Sequence, residues 1–222
     1  MEHEHGGLRR RPEQARSEQR MALILDTAAM LLDEASISQL NVSTIAKRAE
    51  MSGPGIYRYF DDIDAIIRQL ATRNLERLVT GTGDAVADDV VEWPEAVSRA
   101  VAVCVDLYRH EPGFRRLALG DAVDRHLISP IVTNKTLLAR QVAEIFKVRF
   151  DVWYRPELLK HVEVLVEMAM ALVDKAFESD PDGDEFFLAE CARVLFDYFD
   201  AYLARTLPAG PTVPWPDDWG LS

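Results

Sequence analysis

From Met21 onward the chain sets short polar stretches between segments whose apolar residues recur every three or four positions, the spacing that gathers them on one face of an α-helix. Ile24, Ala28, Leu31 and Leu32 predict a helix over about residues 14–35, with Arg16, Arg20, Asp26 and Asp33 on its other faces. Val42, Ile45, Ala46 and Ala49 predict a second helix of barely two turns, capped by Asn41. Ser52 caps a third, which opens on Gly53 and Pro54, where a proline loses nothing because the first helical amides have no intrahelical partner. Ile56 and Phe60, four apart, face inward, and Tyr57, Arg58 and Tyr59 fan outward. Asp61 and Asp62 cap a fourth helix whose stripe is Ile63, Ile66, Ile67 and Leu70, running to about Val79. Residues 81–94, with two glycines, four acids and Pro94, read as the clearest break in the chain.

The second half is richer in apolar positions. Ala96, Val97, Ala100, Val101, Val103, Cys104, Leu107 and Tyr108 cover more than half of a helix circumference, which predicts a helix inside a core. Pro112-Gly113 ends it, a short segment around 114–119 follows, and Pro130 opens a helix with Leu138, Val142, Ile145 and Phe146 inward. Residues 157–178 carry two apolar stripes, one from Leu158 to Ala176 and one from Leu159 to Phe177. Residues 185–206 repeat the theme with Phe187, Cys191, Leu195, Phe199 and Leu203. Two apolar faces on one helix need two partners: the protein's own core, and either further self-burial in a monomer or a second subunit.

The pattern predicts an all-α protein in four parts: a basic arm (1–15), a three-helix head (16–62), a larger helical body (63–207) and an extended tail rich in Pro and Trp (208–222). Residues 40–60 are two helices too short to be stable alone, joined tightly and presenting aromatic and cationic tips, which is a helix-turn-helix. Ile45-Ala46, Ala49, Ser52, Ile56-Tyr57 and Phe60, preceded by Ile24-Leu25, Ala28-Ala29 and Leu32, resemble the TetR family of bacterial transcriptional repressors over about residues 16–70. Three positions depart from that family's pattern: Glu50 stands where the joint usually has Gly, Gly55 where Thr is common, and Ile63 where a phosphate-touching Lys is usual. Glu50 falls where the joint calls for a positive φ, at a cost of about 1 kcal/mol for a residue other than glycine.

The resemblance implies a DNA-binding repressor that dimerises through its last two long helices as a four-helix bundle and responds to a small molecule held in the body. On that reading Val42, Ser43, Thr44 and Lys47 meet phosphates, Ser52, Gly53, Pro54 and Gly55 bring the opening of the reading helix to the bases, and Tyr57, Arg58 and Tyr59 supply base or phosphate contacts. Arg58 alone has a fork that matches guanine O6 and N7, and a phosphate clamp is its other possible role. Arg9, Arg10 and Arg11 lie in an arm with almost no apolar residue before Met21, suited to the minor groove. An apolar or amphipathic ligand fits a body rich in Leu, Val, Ile, Phe and Met, with Cys104, Tyr108, Phe114, Leu138, Val142 and Met168 as candidate lining residues.

Charge changes the picture in one respect. The formal net charge is −12, yet residues 1–60 hold eight basic and eight acidic side chains, against 17 and 29 over 61–222. The acidity lies outside the head, so the body repels DNA while the head does not. Cys104 and Cys191 sit in apolar patterns and behave as small hydrophobes, so no disulfide is expected. No apolar run is long enough for a bilayer and no apolar signal core opens the chain, which together predict a cytoplasmic protein with no membrane partner.

Catalytic chemistry finds little support. His110, His126 and His161 are isolated, and no nucleophile has a base at a useful spacing. Glu163 with Glu167, and Glu157 with His161, lie four apart, but a carboxylate-bridged metal site needs Glu-x-x-His on two helices. Gly53-Pro54-Gly55 lacks the length and the lysine of a nucleotide loop. No cofactor and no metal are expected. The remaining alternative is a small helical enzyme or lipid carrier with an incidental helix-turn-helix-like hairpin.

Overall fold

The computed structural model describes residues 12–34, 37–86, 92–117, 134–150 and 157–206. Their regular structure is entirely helical. In chain order the helices are α1 (Pro12–Glu34), α2 (Val42–Arg48), α3 (Gly53–Tyr57), α4 (Ile63–Ala85), α5 (Trp93–His110), α6 (Phe114–Leu117), α7 (Asn134–Phe150), α8 (Leu158–Ala176) and α9 (Glu185–Thr206), with one 3-10 turn at Ile37–Gln39. The arm, the segment after Leu117 to residue 133 and the tail lie outside the described residues.

Two apolar cores organise these helices. In the head, Ile24, Ala28 and Leu32 of α1 meet Ile45 of α2, Ile56 of α3 and Ile66 and Leu70 of α4, all at 0% exposure. Each such Ile or Leu contributes about 1.5 to 3 kcal/mol, which lets α2 and α3 persist although neither would survive alone. The body core gathers α5, α7, α8 and α9 around Tyr108, Phe114, Leu158, Cys191 and Phe199. Trp93 stacks on Phe196 at 5.1 Å and meets Phe199 edge-on at 5.2 Å.

α4 belongs to both. Ile66, Ile67, Leu70 and Ala71 lie in the head core, and Leu75 and Leu78 lie in the body core. The four-part division placed its whole length in the body, whereas its first turns pack in the head. The helix also outruns its expected end at Val79, passing through Gly81, Thr82 and Gly83 to Ala85. Glycine inside a helix costs about 1 kcal/mol relative to alanine. Here packing overrides that cost: a Cβ on Gly81 would stand 2.8 Å from Val103 Cγ1, so its absence lets α4 approach α5, and Thr82 is buried.

Candidate nucleic-acid interface and ligand cavity

Local hydrogen bonds build the interface. Asn41 Oδ1 accepts the Thr44 N–H at 3.0 Å while the Asn41 N–H donates to Thr44 Oγ1 at 3.3 Å, a reciprocal capping box at the start of α2. At the start of α3 Ser52 Oγ accepts the Gly55 N–H at 3.2 Å, and Asp62 Oδ1 does the same for Ala65 at 2.6 Å on α4. The joint closes through the Met51 N–H, which donates to the Ala46 carbonyl at 2.9 Å. Glu50 carries a φ of 53°, the left-handed conformation that this closure requires.

The side chains offered outward follow from these caps. Ser43, Thr44, Lys47, Ser52, Pro54, Tyr57 and Arg58 are exposed, with Tyr57 at 56%, and Val42, Gly53 and Gly55 are half-buried. Nothing lies within 4 Å of a Cβ on Gly53, so the opening of α3 leaves its backbone accessible. Tyr59 departs from expectation: it is half-buried against the head core, because α3 ends at Tyr57 and the chain turns there. Arg48 is held by Glu34, whereas Lys47 and Arg58 have no ion pair among the described residues. Arg9, Arg10 and Arg11 lie outside the described residues.

The body holds a cavity of about 90 Å³ walled by α4, α5, α7, α8 and α9. Its wall is almost wholly aliphatic; among the described residues, Thr82, Cys104 and Met170 bring the only side-chain heteroatoms. Burial pushes the Cys104 thiol well above its ordinary range and the Cys191 thiol up to about 12, so both stay neutral. Cys104, Leu138 and Val142 stand on the wall, as the sequence suggested. Tyr108, Phe114 and Met168 do not. Tyr108 lies a turn beyond Cys104, donates its hydroxyl to Asp174 Oδ1 at 2.5 Å and packs on Phe114 and Phe177. Met168 is half-buried off the wall, and Met170 takes the place facing the cavity. Thr82 and Val86 were missed because they fall in the stretch read as a break; a helix period continued past Gly81 would have found them.

Head and body meet along α1, α4 and α6. Arg73 of α4 pairs with Asp26 of α1 at 2.6 Å, Arg77 pairs with Glu111, and Leu117 of α6 is part of the head core. Between them Asn74 of α4 is 3% exposed, and neither its amide nitrogen nor its oxygen has a hydrogen-bond partner among the described residues. Among the described residues no group of three His, Cys, Asp or Glu side chains could hold a metal ion, and no helix is long and apolar enough to cross a membrane.

Residues 24–70 match the model of the bacterial regulatory proteins of the tetR family, and residues 91–203 match that of the tetracyclin repressor-like C-terminal domain. The chain is 27% identical over 99 residues to the uncharacterised HTH-type transcriptional regulator YobS of Bacillus subtilis, across 44% of this chain and 50% of that one. It is 27% identical over 107 residues to the HTH-type transcriptional regulator EthR of Mycolicibacterium smegmatis, across 48% and 49%. The chain thus spans about half the length of the curated relatives it matches. A TetR-family regulator from Streptomyces coelicolor superposes with a TM-score of 0.68 and 28% identity, covering 85% of this chain and 99% of that one. With its head and its body each matched by a model of the same family, the chain belongs to the TetR family of bacterial regulatory proteins.

Proposed function

We propose that this chain is a DNA-binding transcriptional regulator, a homodimeric repressor that leaves a palindromic operator when a small apolar or amphipathic molecule fills the body cavity. The observation that carries the reading is the placement of α4. One helix supplies Ile66, Ile67 and Leu70 to the head core, and Leu78 and Thr82, with Val86 at its C-terminal cap, to the cavity wall. A ligand can shift the heads only through different affinity for two arrangements of that helix. A cavity of about 90 Å³ is smaller than one that accepts benzene, about 150 Å³. A larger guest must part the walls, and α4 is one of them.

DNA contact falls to Ser43, Thr44, Lys47, Ser52, Pro54, Tyr57 and Arg58, with backbone from Val42, Gly53 and Gly55, Tyr59 at the margin and Arg9 to Arg11 as an arm. The dimer forms through α8 and α9. Val164, 39% exposed, and Phe186, 66% exposed, support this because a solvent-facing apolar pair on adjacent helices is suited to a partner. Two heads related by a two-fold axis would meet half-sites about 34 Å apart or at a related spacing.

Fluorescence anisotropy with DNA from beside its own gene, combined with sedimentation, tests the proposal. The expected result is a dimer whose affinity for one site survives competitor DNA and falls when a member of a fatty-acid, sterol or aromatic panel raises the melting temperature. A 25.1 kDa species with only weak, salt-erased binding would instead favour an enzyme or carrier.

A further inference from the structure

A second cleft, of about 900 Å³, opens between the end of α1, the short α6 and the end of α8, and among the described residues it shares no wall residue with the apolar cavity. Its charged walls are Asp33, Asp174 and Glu178 against Arg115, Arg116 and Lys175, and their bonding is unequal. Each acid is already served by a donor: Asp33 by the Gly113 N–H at 2.9 Å, Asp174 by the Tyr108 hydroxyl, and Glu178 by Lys175. The two arginines are not matched in this way. Both are exposed and neither has a carboxylate partner among the described residues; the Arg115 guanidinium lies 5.5 Å over the Phe177 ring.

Two guanidinium groups, on consecutive residues of α6 in one cleft wall and without a carboxylate partner among the described residues, stand out in a body that is otherwise strongly acidic and repels anions elsewhere. The guanidinium fork matches planar oxyanions, carboxylates and phosphates, bidentately. The geometry points to a second ligand site, one for a small anion carrying a carboxylate or phosphate group, bound by Arg115 and Arg116 and separate from the apolar cavity. Since Asp33 belongs to the head and the arginines to the body, the bound anion sits at the joint between them.

Calorimetric titration of the full chain with inorganic phosphate and with benzoate tests this, with benzylamine as the cationic counterpart. Saturable binding of at least one of the two anions is expected, weakened tenfold or more in the double variant Arg115→Ala, Arg116→Ala. That variant should keep its far-ultraviolet circular dichroism and melting temperature, since both side chains are exposed. Arg116→Lys should keep an intermediate affinity, because a lysine retains the charge and loses the fork. The inference is overturned if neither anion binds saturably, if the double variant binds as tightly as the parent, or if benzylamine matches benzoate. Loss of benzoate binding in Val142→Phe alone, which fills the apolar cavity, would place the anion there and also overturn it.

Discussion

The backbone N–H of Gly113 donates a 2.9 Å hydrogen bond to Asp33 Oδ1, fastening the turn before α6 to the last turn of α1. Gly113 has a φ of +70°, and a Cβ there would stand 2.8 Å from the Ala29 carbonyl oxygen and 2.9 Å from its Cα. Backbone rests on backbone, so no side chain can yield. Gly113→Ala is expected to destabilise the protein by about 2 kcal/mol or more, through left-handed strain and the clash together. Asp33→Ala, which loses only the hydrogen bond, should cost about 1 kcal/mol. Urea unfolding of both variants checks the order; equal stability of Gly113→Ala and the parent would show that the contact yields.

Glu50 holds a φ of 53° in the joint of the helix-turn-helix, a conformation that costs an L-residue roughly 1 to 2 kcal/mol. Glycine recovers that strain but gives back part of it through greater freedom in the unfolded chain. Glu50→Gly should therefore stabilise the protein by about 0.5 to 1 kcal/mol, with DNA affinity unchanged. Its melting temperature decides the matter, and a decrease counts against the strain.

Arg58 and Lys47 are both exposed and have no ion pair among the described residues, yet they should differ in kind. Arg58→Ala is expected to weaken operator binding by about 1 to 3 kcal/mol and to relax preference at one G·C pair per half-site. Lys47→Ala should weaken all sequences alike and lower the salt slope by about one unit. Binding measured across a library of operator variants separates them. If Arg58→Ala gives the uniform pattern, specificity rests on Tyr57, the apolar edge of Pro54 and DNA shape.

Burial holds the Asp174 carboxyl above its ordinary range, and the hydrogen bond from Tyr108 and the charge of Lys135 offset part of that rise. A carboxyl raised on folding favours the fold while protonated and loses that contribution as pH rises through its folded value. Without the Tyr108 hydroxyl the folded value rises further. Tyr108→Phe should thus cost about 1 to 2 kcal/mol at neutral pH and less at acid pH, as Asp174 takes up its proton. Unfolding in urea at the two pH values reads the difference, and a deficit that grows toward acid would contradict it.

What the sequence determined alone is what local physics decides. The caps at Asn41, Ser52 and Asp62 are bonds across three residues, so they can be read from residue type and spacing, and the structure contains all three. Glu50 was legible through the resemblance, which puts glycine at that position of the joint, and the structure gives it a φ of 53°. The inward positions Ile24, Ile45, Ile56 and Ile66 follow from helix period, and each is fully buried.

Only the tertiary structure decided the rest. Residues 81–83 have the composition of a break, yet α4 continues through them because Val103, far along the chain, packs where a side chain on Gly81 would be. That continuation alone brings Thr82 and Val86 to the cavity, and Tyr108 leaves it for Asp174, 66 positions away. Asp33 meets Gly113 across 80 positions, and Arg115 and Arg116 gain their cleft only when α1 and α8 close around α6. Periodicity assigns a residue to a face of its own helix; which neighbour that face meets depends on how separate helices pack, and no local spacing encodes it.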